Sequence, residues 1–274
     1  MNSKVVITKG KRTVDTVKES LEPIISPGDL ADKKILIKVN FISTKTWETG
    51  ATTDPILVEA LIQYFQPFNE GIYVVESDAT ITRAEEAAKA TGMLELCEVY
   101  GIKFINLTKY PEQIKIKVPN PEVLSEINFP TIALESHIIS AAKMKTHSDT
   151  QVTLGLKNMF GILPDTPKSK YHNLGIDEVI VDINNVCRPS LTVIDGFVAM
   201  EGSGPVSGQP IEMGLVIAGK DVVSTDTITS KVMGFDPYEI DHIKKAAKKG
   251  LGEMKNIKVL GEDLNKVTRI FKKT

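Results

Sequence analysis

The chain has 274 residues, 42% of them hydrophobic, with 33 Lys and Arg against 35 Asp and Glu and a formal net charge of -2. That length buries a large core as one big or two fused α/β domains, and so even a charge balance gives no electrostatic case for nucleic acid. No apolar run is long enough to span a bilayer, and the amino terminus lacks an apolar h-region, so the expectation is a protein that is neither secreted nor membrane-spanning. Cys97 and Cys187 lie far apart in sequence, which argues against a disulfide framework or a cysteine-ligated cluster and fits a reducing cytoplasm.

In chain order, Lys4 to Thr8 reads as a strand, and Thr13 caps a helix from Val14 to Ile24 that stops before Pro27-Gly28. Lys34 to Asn40 is a second strand that ends on a polar residue. The aperiodic stretch Phe41–Gly50 is a loop, and Thr52-Thr53-Asp54-Pro55 opens a helix running from Ile56 to Phe65. Open α/β sheets bind ligands where a strand's carboxyl end meets a helix start, which makes Asn40 and Thr53 candidate ligand contacts. Ile72–Val75 is the next strand and ends in Glu76-Ser77-Asp78; helices follow over Arg83–Ala90 and Leu94–Tyr100. Lys103–Leu107 and Ile114–Pro119 read as strands, the second half-exposed with Lys115 and Lys117 on its wet face.

Lys143 to His172 holds five Lys against two Asp and is locally positive. Ser136–Ala142 ahead of it is a short buried strand, and if the backbone stays extended, Lys143, Lys145 and His147 share one face. Asp149 to Leu163 has a helix pattern that puts Thr150, Thr153 and Lys157 on one side, with Ser148, Asp149 or Thr150 as its cap. Basic strand end and helix start would then converge on an anion. The turn Pro164–Pro167 delivers Lys168, Lys170, Tyr171 and His172.

Leu174–Val186 is a helix, and Leu191–Ile194 a buried strand ending in Asp195-Gly196. Met200–Gly208 is glycine-rich, and the amides around Gly202 and Gly204 could turn toward an anion, although the run matches neither a Walker A loop nor a dinucleotide fingerprint. Gly214–Gly219 is a strand, Asp221 a turn, and Ser224-Thr225-Asp226 caps a helix from Thr227 to Met233. A last helix runs from Asp236 to Lys249, strands follow at Ile257–Leu260 and Val267–Phe271, and Lys272-Lys273 is a tail without a role. His137 reads as a buried strand residue and His242 as a helix-surface one, neither at the site. The alternation argues an α/β fold with a mixed, largely parallel sheet and helices on both faces. It forms a single domain over 1–274, or two lobes of about 1–125 and 126–274 with the site between them.

The motifs KMKTH (Lys143–His147), LKNMFG (Leu156–Gly161), Tyr171-His172, Ile194-Asp195-Gly196, EGSGP (Glu201–Pro205) and AGKD (Ala218–Asp221) occur in this order. With them the chain resembles, from about Val39 to Gly252, the domain-of-unknown-function family DUF362. The resemblance implies functional positions at Asn40, Thr53, Glu76, Lys143, Lys145, Thr146, His147, Thr150, Lys157, Asn158, Gly161, His172, Asp195, Gly202, Gly204, Pro205, Gly208, Asp221 and Asp226. It also implies an association with iron–sulfur chemistry, since many members carry a ferredoxin-like module. This chain lacks the Cys-rich run that a cluster in cis requires.

The first functional expectation is an enzyme for a small phosphorylated or carboxylated anion. Lys143, Lys145 and Lys157 would neutralise it, His147 or His172 would move protons, and Asn40, Thr53, Thr150, Asn158, Gly202 and Gly204 would hold it. Glu76 and Asp195 would be a second proton carrier or ligands for Mg2+. A transition-metal site built from His147 and His172 with Asp195 or Glu76 is the second expectation. The third is a redox or cofactor-binding accessory working beside a separate ferredoxin-like protein.

Overall fold

The computed structural model describes residues Ser3–Lys273. Strands β1 (Ser3–Lys9), β2 (Ile35–Lys38), β3 (Ile72–Glu76) and β4 (Lys103–Asn106) form where apolar runs are expected, and helices α1 (Val14–Leu21), α2 (Pro55–Phe65), α3 (Ala84–Ala90) and α4 (Met93–Val99) connect them. Thr13 and Asp54 cap α1 and α2 through their side chains, as their positions predict. A small antiparallel hairpin of β5 (Gln113–Lys117) and β6 (Glu126–Pro130) stands apart from the main sheet and leads through α5 (Thr131–Leu134) into β7 (His137–His147).

Beyond β7 the chain departs from expectation. Residues 149–154 are not helical. Gln151 takes a left-handed backbone (φ 62°), and β8 (Gln151–Thr153) folds back on β7 with Lys145 opposite Thr153 and His147 opposite Gln151. Helix α6 (Gly155–Asn158) is only a single turn, continued by the 3-10 segment Met159–Ile162. Its first amides do not face a ligand, because Asp226 occupies them: Oδ1 accepts from Gly155 N and Oδ2 from Leu156 N, each at 2.8 Å. Burial pushes the Asp226 carboxyl up to about 7, against the pull of these two amides.

Helices α7 (Ser169–His172) and α8 (Ile176–Val186) follow. β9 (Leu191–Glu201) does not stop at Asp195-Gly196 but continues and turns through the glycine-rich loop into β10 (Gln209–Gly219). The cap of α9 (Val222–Val232) is Asp221, so Asp226 lies inside that helix rather than at its start. α10 (Asp241–Lys248), β11 (Ile257–Gly261) and α11 (Leu264–Val267) complete the fold. Residues 268–271, expected as strand, are irregular. The basic end has a structural role, since Lys272 N donates to Glu201 Oε2 and its carbonyl accepts from Gly202 N.

The main sheet is nine-stranded, in the order β11-β1-β10-β9-β7-β2-β3-β4, with β8 paired to β7. Five of its pairings are parallel and three antiparallel, by count of the strand pairs in that sheet. Ile35, Ile37 and Val74 pack against α1, α2 and α4 on one face, while Leu36, Val75 and Ile138 pack against α8 on the other. From β2 the chain progresses outward to β3 and β4, and from β7 it progresses the other way to β9. The carboxyl ends of β2 and β7 therefore flank the point where the order reverses, which is where open α/β sheets leave a crevice.

Replacing Asp226 by Ala leaves two buried amides without partners and should cost about 3 kcal/mol of stability; urea denaturation measures it, and an unchanged midpoint would refute the carboxylate's role in holding α6.

Candidate functional site

A cavity of about 110 Å³ sits in that crevice, and Lys38, Asn40, Glu76, Lys145, His147, Thr153, Lys157, Asn158, Lys168 and His172 contribute to its wall. It is far smaller than a site for a drug-sized ligand. β7 stays extended as expected, and Lys145 and His147, two residues apart, both reach the cavity. Lys157 comes from α6, while Lys168 and His172 come from the segment that follows the turn at Pro164–Pro167.

The four lysines are held differently. Lys38 is paired with Glu76 (Nζ–Oε1 2.8 Å) and donates to Val39 O and Asn158 Oδ1. Glu76 in turn accepts from Phe41 N and Ser77 N. Gly161 closes over this pair, where a Cβ would lie 2.4 Å from both Lys38 Nζ and Glu76 Oε1. Lys145, Lys157 and Lys168 have no carboxylate within ion-pair distance among the described residues. Lys145 donates to Ala51 O (2.5 Å) and Pro205 O (3.3 Å), and Lys168 to Ser77 Oγ. Lys157 lies over the face of Phe160, 5.2 Å from its Nζ. Burial pushes Lys157 and Lys168 each down to about 8. Lys145 falls well below the ordinary lysine value, through burial first and then through the neighbouring Lys157 and Lys143.

His147 is oriented by its own hairpin. Asp149 N lies 3.1 Å and Thr150 N 3.4 Å from its Nδ1, which must therefore accept and carry no proton. The remaining proton sits on Nε2. Burial, reinforced by Lys157 and Lys145, pushes the imidazole down to about 2, so it is neutral at physiological pH. In this state the ring offers a fixed N–H donor. His172 lies at the mouth, bound to Asp149 (2.7 Å) and stacked on His147 with ring centroids 6.5 Å apart.

Other expected residues lie behind the wall. Lys143 is fully buried and binds Asp195 Oδ2 at 2.7 Å, an oxygen that also accepts from Asp54 N. Asp54 caps α2 and is clasped by both arms of Arg12 (2.6 and 2.7 Å), whose guanidinium lies on Trp47. Two cations and two carboxylates make this layer neutral, so Lys143 and Asp195 support the site instead of lining it. Thr53 locks β2 to β7 by accepting from Asn40 N and donating to Ala141 O. Thr150 ties its turn to Val152 O.

The amides of Gly202 and Gly204 bind the carbonyls of Lys272 and Gly202, so the expected anion cradle is not formed by them. Gly204 serves close packing, since a Cβ there would meet Thr146 O at 2.1 Å. Glu76 faces Lys38 and Asp195 faces Lys143, so neither of the expected carboxylates joins the two histidines; no group of three or more His, Cys, Asp or Glu among the described residues could hold a metal. His242, expected on a helix surface, is buried against Asp177, and His137 is only half-buried.

Sequence reasoning missed Lys38, Thr153 and Lys168 as site residues. Lys38 follows three consecutive apolar residues, the pattern of a strand buried on both faces, and that pattern could have placed it inside. Thr153 Oγ1 and Asn40 Oδ1 belong to residues of the cavity wall and are buried without a hydrogen-bond partner among the described residues.

The family model for the domain of unknown function DUF362 matches residues 35–231, which takes in every residue of the cavity wall. The chain belongs to this family. A thylakoid-associated protein of Synechocystis sp. is 26% identical to it over 246 residues, covering 84% of this chain and 73% of that protein. Arg12, which balances the buried layer beneath the site, lies before the DUF362 match begins. None of the described helices is long and apolar enough to cross a membrane.

Histidine nitrogen NMR should show His147 with an unprotonated Nδ1 and a protonated Nε2, with no titration between about pH 5 and 8; a midpoint near the ordinary histidine value would return it to proton transfer.

Proposed function

We propose that the protein is an enzyme that binds a small anionic substrate, phosphorylated or carboxylated, in the Lys/His-lined cavity. The observation that carries this reading is the convergence of Lys145, Lys157 and Lys168 on one buried space without a carboxylate partner among the described residues. A buried cation without a counter-charge is costly, and an anionic ligand removes that cost. Lys157 and Lys168 would supply the charge, and His147 Nε2–H and the Thr153 hydroxyl would supply neutral donors. Asn40 Oδ1 would accept from a hydroxyl of the ligand. Asn158 holds Lys38 and Asn40 in place, because its Oδ1 accepts from both. His172, at the mouth and bound to Asp149, is the remaining candidate for proton exchange with solvent.

The relative's name associates that protein with thylakoids. For this chain, two buried free thiols, Cys97 and Cys187, support a reducing cytoplasmic setting.

Changing Lys157 or Lys168 to Met should weaken binding of inorganic phosphate or pyruvate at least about tenfold while preserving the fold, given the worth of a charge-assisted hydrogen bond. Lys157 and Lys168 are ammonium below about 8 and lose that charge above it, so the thermal stabilisation given by either anion should shrink as pH rises from about 7 to 9. Calorimetric titration and thermal melts check both statements. Unchanged affinity in both variants, or a visible iron–sulfur chromophore retained after anaerobic purification, would replace this reading.

A further inference from the structure

Lys145 stands apart from the other buried lysines of its strands. Lys38 and Lys143, equally buried, each have a carboxylate within 2.8 Å. Lys145 has two backbone carbonyls instead, Ala51 O and Pro205 O. Two acceptors match the two N–H bonds of an uncharged amine, and the third tetrahedral direction, the lone pair, is left for the open side, which is the cavity. Lys157 and Lys143 reinforce this state by repulsion.

Its neighbours suit one kind of reaction. Thr153 is directly opposite Lys145 in the β7–β8 pairing, so the two side chains share a face with their Cβ atoms roughly 5 Å apart. The Thr153 hydroxyl is buried and unpartnered at the same cavity. Lys157 is buried with no carboxylate at ion-pair distance among the described residues, and His147 offers a fixed N–H. An amine nucleophile, a hydroxyl relay and a carboxylate-binding cation meet in a space fit for a few heavy atoms.

We propose that Lys145 is a catalytic nucleophile that forms an imine with the carbonyl carbon of a small 2-oxo acid, a deepening that rests on the anion-binding reading above. The amine lone pair forms the C–N bond while the carbonyl π pair moves to oxygen, which takes one amine proton through Thr153 and gives a carbinolamine. The nitrogen then forms the C=N bond as the C–O bond breaks, and the hydroxyl leaves as water with a proton from the Lys157 ammonium. The iminium N–H proton returns to Lys157. The sum is amine plus carbonyl giving imine plus water, with no oxidant or reductant needed.

The test is to incubate the full chain at neutral pH with pyruvate or glyoxylate and sodium cyanoborohydride, map the reduced adducts by mass spectrometry, and record thermal melts with each acid and with inorganic phosphate. The expected result is an adduct on Lys145 at least about tenfold above that on any exposed lysine, since exposed lysines are almost wholly protonated there. Lys145→Arg should abolish the adduct while the acids still stabilise the fold. Stabilisation by the acids or phosphate without a preferred adduct on Lys145 overturns the imine and leaves the anion site standing. Absence of both stabilisation and adduct overturns the two readings together.

Discussion

A lysine amine taken out of water must meet a carboxylate, be neutralised, or wait for an anion, because an isolated buried charge costs several kcal/mol even after relaxation. Around the carboxyl ends of β2, β3 and β7 the protein holds its buried lysines in different ways within one small volume. Lys38 and Lys143 are paired with carboxylates, Lys145 is held by two backbone carbonyls, Lys168 donates to Ser77 Oγ, and Lys157 lies over the Phe160 ring. The surrounding structure follows from keeping these states separate. The Asn158 amide stands between Lys38 and Asn40, and the neutral Arg12–Asp54–Asp195–Lys143 layer keeps its own charges matched beneath the floor.

The sheet order supplies the space, and local chemistry shapes it. Reversal of strand progression between β2 and β7 opens a crevice, and the β7–β8 hairpin folds back into it. That hairpin does two jobs through one turn: it aims the His147 ring by offering amides to Nδ1, and it brings Thr153 beside Lys145. Lys157 then depends on a helix of a single turn, too short to hold itself. Asp226, reaching across from α9, supplies the missing cap. A carboxylate placed there also removes the helix start as a competing anion site.

The architecture was legible because its strands are apolar runs and its helices carry ordinary caps, as with Asp54 before Pro55. The site was legible where alternation along one strand sufficed, as for Lys145 and His147. Residues 149–154 misled because Thr150, Thr153 and Lys157 fit a helical period as well as a hairpin; the decision came from cross-strand pairing and the backbone of Gln151, which spacing does not encode. Asp195-Gly196 looked like a strand end, yet Lys143 and the Asp54 amide hold Asp195 in mid-strand. Lys38 and Lys168 were passed over because their burial is set by Glu76 and Ser77, partners distant in sequence. Charge state was least accessible of all: the neutrality of His147 follows from burial and from nearby lysines that only the folded chain assembles.

Arg12 and β1 carry a consequence for the matched region of this chain. The match begins at residue 35, yet Arg12 is the second cation of the neutral layer, and β1 sits between β10 and β11, which derives from the other end of the chain. Excised at its match boundaries, the shared region would lose a sheet neighbour and carry Asp54 and Asp195 against Lys143 alone. In this chain the matched region is thus not a portable module: the charge layer beneath its cavity is completed by Arg12, a residue that lies ahead of the match.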